Sequence, residues 1–483
     1  MSLNLIDDAW IPVTCADGSR KVIAPWQMAE AGILRPDWPR PDFNIACYEF
    51  LIGLLFLADP PKDIEDWDDR CNPDPGQLKD RLAPFAAAFD LLGDGPRFLQ
   101  DLEKLEGTPN PVDSLFIDSA GANTAKNNAD LMVHRGRYPA LAPAMAAMAL
   151  YTFQAFAPSG GAGNRTSMRG GGPLVTLIDP QRGLWPLIWA NVPTGQAGQV
   201  DDLPWMRPTR VSDKGMETFP PEGGSFGVEA FFGMPRRLRL VDQNGVVTGV
   251  TQRPWGTNYA QWKHPLSPYY CLKEGDEWLP VHPRAGRFGY RNWLGIVAGA
   301  ASTGTRELGL MLREPRGGGK VIVAGWAMDN MKPRDFIWST QPLLRLDPET
   351  EFRLEGLVRA AEVAGSVLRS ALEPVLRVGE TREAEREAFF ATTEPAFRGH
   401  VDAMVAGAVV ASAWLADLQK QAVAQFDALA LPQLAQRDTK KIEQIVQARK
   451  YLALAFKGYG KQGKEMFDHL GLDVPVVKKG KAA

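Results

Sequence analysis

Catalysis needs a nucleophile, a base or a set of metal ligands, and the sequence holds few residues spaced to supply them. Its five histidines, His134, His264, His282, His400 and His469, include no H-E-x-x-H pair and none stands beside a cysteine pair. A zinc or metalloprotease site is therefore not written in the sequence. Gly223-Gly224-Ser225-Phe226-Gly227 matches the hydrolase elbow G-x-S-x-G. That elbow places its serine between a strand and a helix, whereas Phe219-Pro220-Pro221-Glu222 precedes it here, and a proline pair does not sit in a central strand. A serine hydrolase using Ser225 is the alternative reading. Gly458 to Lys464 reads G-x-x-x-x-G-K, but Glu465 replaces the Ser or Thr that would hold magnesium. The carboxylates offer no spacing that singles out a pair. These residues predict a protein that is not an enzyme and that holds no metal or cofactor.

Three loops suggest binding instead. Pro158 to Pro173 carries six glycines and two arginines, Arg165 and Arg169, with no acidic residue. Glycine lets a backbone approach a ligand closely, and arginine suits phosphates and base edges. Ser119 to Arg137 is polar and asparagine-rich, with Lys126, Asn127 and Asn128 at its middle. It is long for a structureless connector, and such loops are often functional. Gln252-Arg253-Pro254-Trp255 sets a cation beside an aromatic ring between two turn signals, Asn244-Gly245 and Gly256.

The elements that must position these loops fall into two regions, since 483 residues exceed one ordinary core. The first is rich in Gly, Pro and Trp. It predicts strands over Leu174 to Ile178, Arg237 to Val241 and Val321 to Ala324, with helices over Phe43 to Leu57 and Ala142 to Phe156. No regular strand-helix alternation supports a doubly wound sheet. After about Leu346 alanine replaces glycine. Leu354, Leu357, Val358, Ala361, Ala364 and Leu368 then recur at helical spacing, followed by stripes through Met404 to Ala422 and Ile442 to Phe456 and a shorter helix over Glu380 to Phe390, with the breakers Gly379, Pro395 and Pro432 between them. The expected fold class is α+β, with a large irregular mixed domain over residues 1–348 and an antiparallel four-helix bundle over 349–483.

Composition excludes other classes. A 45% hydrophobic and 23% charged chain is globular rather than disordered. The longest apolar run, around Ala142 to Ala157, is interrupted by Pro143, Thr152 and Gln154, so no membrane span is expected. Cys15, Cys47, Cys71 and Cys271 are scattered, which predicts reduced thiols in a cytoplasmic protein. The net charge of -3 argues globally against a nucleic-acid coat protein, yet its distribution is uneven. Leu346 to Gln436 holds 8 basic and 14 acidic residues, while Arg437 to Ala483 holds 11 basic and 5 acidic. The last helix and tail form a basic strip through Lys440, Lys441, Arg449, Lys450, Lys457, Lys461 and Lys464, fit to contact a DNA backbone.

The sequence resembles a known family, the CasA large subunits of the type I-E CRISPR surveillance complex called Cascade. The likeness rests on four blocks in order, over the whole chain: Leu5-Ile6-Asp7-Asp8-Ala9-Trp10-Ile11-Pro12-Val13, Arg169-Gly170-Gly171-Gly172-Pro173-Leu174-Val175-Thr176, Ala230-Phe231-Phe232-Gly233-Met234-Pro235, and Trp262-Lys263-His264-Pro265-Leu266-Ser267-Pro268. The resemblance implies a subunit that inspects duplex DNA for a short protospacer-adjacent motif from the minor groove while guide RNA reads the remainder. It implies a glycine loop at Gly160, Gly161 and Gly163, and a cationic finger at Arg253 where the family usually carries lysine. It further implies a wedge for strand separation at Asn330 and Met331, with asparagine in place of the familiar glutamine. Lys126, Asn127 and Asn128 would meet the guide RNA. Arg165 and Arg169 join Lys440, Lys441, Arg449 and Lys450 as contacts to the DNA backbone. The implied partners are other Cascade subunits, the CRISPR guide RNA, double-stranded target DNA and a separate helicase-nuclease.

Overall fold

The computed structural model describes residues 3–119, 121–128, 130, 133–161, 163–299, 304–432 and 434–475. The chain forms two compact units, one of Met1–Gly286 with Glu307–Leu343 and a second of Arg287–Arg306 with Leu344–Ala483. The mixture of helix and sheet expected from the sequence is what the structure has.

The core of the first unit is built on the helix Pro41–Ala58, in which Phe43 and Ile45 to Ala58 are all buried. It is the one helix among the described residues long and apolar enough to cross a membrane, and the protein itself covers it. Phe50 lies edge-on to Trp10, Phe89, Phe98, Tyr151 and Phe232, at centroid distances of 5.4 to 6.5 Å. Edge-to-face packing of this kind suits the ring quadrupoles. Tyr151 belongs to a second core helix, Pro143–Phe156. Pro143, read from the sequence as an interruption, is that helix's first residue, where its missing N–H costs no bond.

Two sheets carry the candidate site. In one, Lys320–Asp329 lies between Val175–Asp179 and Lys332–Pro342, antiparallel to both. In the other, Val246–Arg253 lies between Asn110–Pro111 and Arg237–Gln243. Trp326 ties the first sheet to the core helix, its indole N–H donating to the Asp42 carboxylate at 3.3 Å.

The second unit has five helices among its described residues: Pro348–Ala371, Gly379–Val405, Ala411–Ala430, Thr439–Ala455 and Gly460–Leu470. The first touches each of the other four. Its N-terminus is capped by Asp347, which accepts from the Glu349 and Thr350 amides at 3.0 Å. A Cβ at Gly356 would strike the His469 carbonyl, so this glycine admits the last helix. Three sequence expectations change. The fifth helix, Gly460–Leu470, was not foreseen. Pro395 does not end the helix begun at Gly379, because the buried Phe389, Phe390, Phe397 and Val401 hold the turns on either side. The stripe from Met404 is interrupted, one helix ending at Val405 and the next starting at Ala411.

Residues 287–299 lie outside the expected helical region, yet they pack with it. Tyr290 stacks on Phe397 at 4.1 Å and shares a hydrogen bond with the Thr393 hydroxyl at 2.8 Å. Trp293 meets Phe397 at 5.3 Å.

Candidate nucleic-acid interface

The glycine-rich segment leaves the helix Pro143–Phe156 and returns to its end. The Ser167 amide donates to the Ala157 carbonyl and the Gly172 amide to the Phe156 carbonyl, both at 3.0 Å. What lies between is a closed loop rather than a linker. Within it, the Asn164 amide donates to the Gly161 carbonyl at 3.1 Å, and the Asn164 side chain donates to the Gly160 carbonyl at 2.9 Å.

The three glycines differ in what requires them. Gly161 has φ +97° and nothing within 4 Å of a Cβ, so it presents bare backbone outward in a conformation that side chains rarely adopt. Gly163, at φ +77°, faces the neighbouring sheet, where a Cβ would lie 2.6 Å from the Pro254 Cβ and 3.1 Å from the Trp255 ring. Its carbonyl accepts from the Trp255 amide at 2.6 Å. Gly160 is needed for space, since a Cβ there would lie 2.9 Å from Nη1 of Arg236.

Arg253 ends the strand Val246–Arg253, exposed to solvent, and its side chain makes no hydrogen bond or ion pair among the described residues. Directly across the ladder stands Arg237. Like charges so placed repel, and Asp101 neutralises Arg237 through a 2.6 Å ion pair, leaving Arg253 as the outward cation. Gln252 beside it donates to the Asn164 side-chain oxygen at 2.7 Å, joining this strand end to the glycine loop.

Asn330 and Met331 form the two-residue turn between Lys320–Asp329 and Lys332–Pro342. Their φ values of 49° and 62° are the paired positive angles of a tight hairpin turn. Asparagine accepts this backbone readily, and the strand twist imposes it on methionine. Met331 is 50% exposed, and its Sδ would be 3.4 Å from a Cβ at Gly171. The hairpin tip therefore rests on the glycine segment. The glycine segment that holds Gly161 thus touches both the turn after Arg253 and the hairpin tip that carries Met331.

Two arginines assigned to DNA from the sequence are committed elsewhere. Arg169 is 2% exposed, and its guanidinium pairs bidentately with Glu49 at 2.7 and 2.8 Å. It also donates to Ser267 Oγ at 3.1 Å, so it anchors the loop from inside and cannot reach a phosphate. Arg165 donates to Ser212 Oγ and O at 2.9 and 3.0 Å with its guanidinium 5.4 Å from the Trp255 ring centre, which makes it a brace between loop and strand end.

Lys126, Asn127 and Asn128 are exposed, at and just beyond the end of the short helix Ala122–Lys126. The Asn128 side-chain oxygen accepts from Arg135 at 3.2 Å. Residues 120, 129, 131 and 132 of that loop lie outside the described residues. In the second unit Lys440 and Lys450 are exposed and Lys441 is half-buried. Arg449 is exposed and pairs bidentately with Asp427 at 2.7 Å. The end of the basic tail, residues 476–483, lies outside the described residues.

Ser225 sits in an exposed loop with no strand before it, and the short helix Glu229–Phe232 starts four residues later. That arrangement lacks the strand-to-helix turn on which a nucleophile elbow depends. The four cysteines are free thiols.

Sequence reasoning gave no role at this site to Gln154, Arg236 or His282. His282 lies against the loop, its Nδ1 3.2 Å from the Gly172 carbonyl. A tryptophan beside the Arg253-Pro254 pair was visible, but its inverted backbone, φ 66°, was not.

Residues 4–431 match the family model described as CRISPR-associated protein Cse1. The chain is 30% identical over 257 residues to the CRISPR-associated protein CasA/Cse1 of Thermus thermophilus. That alignment spans 50% of this chain and 49% of the relative, so the chain spans about half the length of the curated relative it matches. In fold it is similar to the solved structure of Thermus thermophilus CasA (Cse1), with a TM-score of 0.72 at 21% identity over 97% of this chain and 99% of that one. It is also similar to a chain of a CRISPR RNA-guided surveillance complex, with a TM-score of 0.69 at 18% identity over 93% and 99%.

Proposed function

Because the chain belongs to the Cse1 family of CRISPR-associated proteins, we propose that it is the large subunit of a type I-E CRISPR surveillance complex. It recognises a protospacer-adjacent motif in double-stranded DNA from the minor groove, helps begin strand separation, and offers a landing site to a helicase-nuclease. One observation carries this reading: the glycine segment that holds bare backbone at Gly161 touches both the turn after Arg253, an outward cation, and the hairpin tip that exposes the Met331 thioether. Each part suits one task. Backbone without side chains fits against base edges, arginine suits a narrow minor groove, and an apolar wedge unstacks a base step. The minor-groove code is degenerate, so such a head accepts several related motifs.

The same reading makes the subunit non-catalytic and cytoplasmic, with no metal or cofactor. Lys126, Asn127 and Asn128 face the guide RNA, other subunits complete the complex, and Lys440, Lys441 and Lys450 follow the DNA backbone. The test is Arg253→Ala in a complex reconstituted with guide RNA and partner subunits. Loss of a base-reading arginine costs about 1–3 kcal/mol, so affinity for motif-bearing duplex should fall roughly tenfold or more. Unchanged affinity and unchanged preference for the motif would reject this assignment of Arg253.

A further inference from the structure

Arg236 is a charged side chain where a charge is costly to keep. It is 4% exposed, and burial lowers its pKa to about 10. Among the described residues no carboxylate forms an ion pair with it. Burying an unpaired guanidinium costs several kcal/mol, which an apolar side chain of similar size would avoid. What the charge does is local. Nε donates to the Arg165 carbonyl at 2.6 Å and Nη2 donates to the Pro158 carbonyl, so one planar fork holds both arms of the glycine loop. The fork lies against the Phe153 ring, 5.3 Å from its centre.

Arg236 is itself fixed. Its amide donates to Gln154 Oε1 at 3.1 Å, and Gln154 Nε2 donates back to the Arg236 carbonyl at 3.0 Å. Gln154 belongs to the core helix Pro143–Phe156, from whose end the loop departs. A path of hydrogen bonds thus runs from that helix through the backbone of Arg236 to the two arms of the loop. A Cβ at Gly160 would lie 2.9 Å from Nη1 and 3.3 Å from Nη2 of this fork, so a methyl group there must displace the guanidinium. Gly160 therefore reads better as the partner of Arg236 than as a residue that touches DNA.

We infer that Arg236 is the positioning residue of the motif-reading loop, its fork fixing the loop's two arms so that Gly161 is presented outward, and that Gly160 is glycine in order to admit it. This rests on the function proposed above. Lysine cannot replace it, because one ammonium on a flexible stem keeps the charge without the planar two-carbonyl fork.

The experiment compares Arg236→Lys, Gly160→Ala and the double variant with the wild type, in the full chain and in the reconstituted complex. Amide exchange at Asn164, Ser167 and Trp255 reports loop position, and duplexes with and without the flanking motif report reading. The expected result is exchange at least tenfold faster at those amides in both single variants, and a roughly tenfold loss of motif preference. Motif-free affinity and its salt dependence stay unchanged, and the double variant is no worse than either single one. Wild-type exchange in Arg236→Lys overturns the inference. So does an equal loss of motif-bearing and motif-free affinity with exchange unchanged, since that assigns Arg236 to charge rather than position. If the wild-type complex itself shows no motif preference, the proposed function fails, while the exchange measurement still decides whether Arg236 holds the loop.

Discussion

Replacing Gly163 with alanine tests whether the glycine loop and the Arg253 turn act as one reading head. Two costs follow from the geometry. At φ +77° an alanine bears a left-handed penalty of about 1–2 kcal/mol. Its Cβ would also lie 2.6 Å from Pro254 and 3.1 Å from Trp255, so loop and turn must separate by roughly 1 Å, beyond the reach of ordinary van der Waals adjustment. Separation breaks the 2.6 Å bond from the Trp255 amide to the Gly163 carbonyl, worth about 1 kcal/mol. Together about 2–3 kcal/mol shifts the docked loop toward an undocked one by about 30- to 150-fold. The assay pairs amide exchange at Trp255 with affinity for motif-bearing and motif-free duplexes, using the reconstituted complex at fixed salt. Trp255 should exchange faster and the motif preference should collapse, with motif-free affinity intact. Gly161→Ala separates the two costs: it carries backbone strain at φ +97° but meets nothing within 4 Å of its Cβ, so Trp255 exchange should rise less than in Gly163→Ala. Wild-type exchange and wild-type preference in Gly163→Ala would refute the reasoning.

Three further outcomes follow from side-chain partners. Glu49→Gln leaves the guanidinium of Arg169 buried without its anion, so stability should fall by about 3–5 kcal/mol, read as a lower urea midpoint. Lys440→Ala and Lys450→Ala should each reduce the slope of log affinity against log salt by about 1. Arg449→Ala should leave it nearly unchanged, because Asp427 already neutralises that charge. His264 is buried, and burial first, then the nearby charge of Arg169, holds its pKa well below the usual value. The unfolded chain therefore binds the extra proton below about pH 6.5, and stability should drop there by up to about 1.4 kcal/mol per pH unit. His264→Gln should flatten that dependence in urea titrations at pH 5 and 7.5.

How much was legible depended on the range of the interaction. Periodicity located the helix beginning at Pro348, because its buried face repeats within the helix itself. Short apolar runs between breakers placed strands over Arg237 to Val241 and Val321 to Ala324, within the observed Arg237–Gln243 and Lys320–Asp329, for the same local reason. Pro395 misled because the local rule for proline was outweighed by the aromatic contacts of Phe397 with Tyr290, Trp293 and Trp414. Arg169 misled because its partner, Glu49, lies 120 residues earlier and no local pattern joins them. At the site, glycine content marked the loop, yet it could not separate Gly161, needed for its backbone angle, from Gly160, needed for space around Arg236. Arg236 itself gave no signal, since a strand-end arginine looks the same whether it faces solvent or a buried carbonyl.

The central claim is that this chain reads a short DNA motif beside the guide-paired target. The direct measurement is the affinity of the complex, reconstituted with guide RNA and partner subunits, for two duplexes that differ only in the flanking motif, with and without this chain. The account predicts that adding the chain confers a preference for one flank of about tenfold or more, and that Gly163→Ala abolishes it. Equal affinity for both duplexes in the presence of the wild-type chain, across the flanking motifs tested, would contradict it.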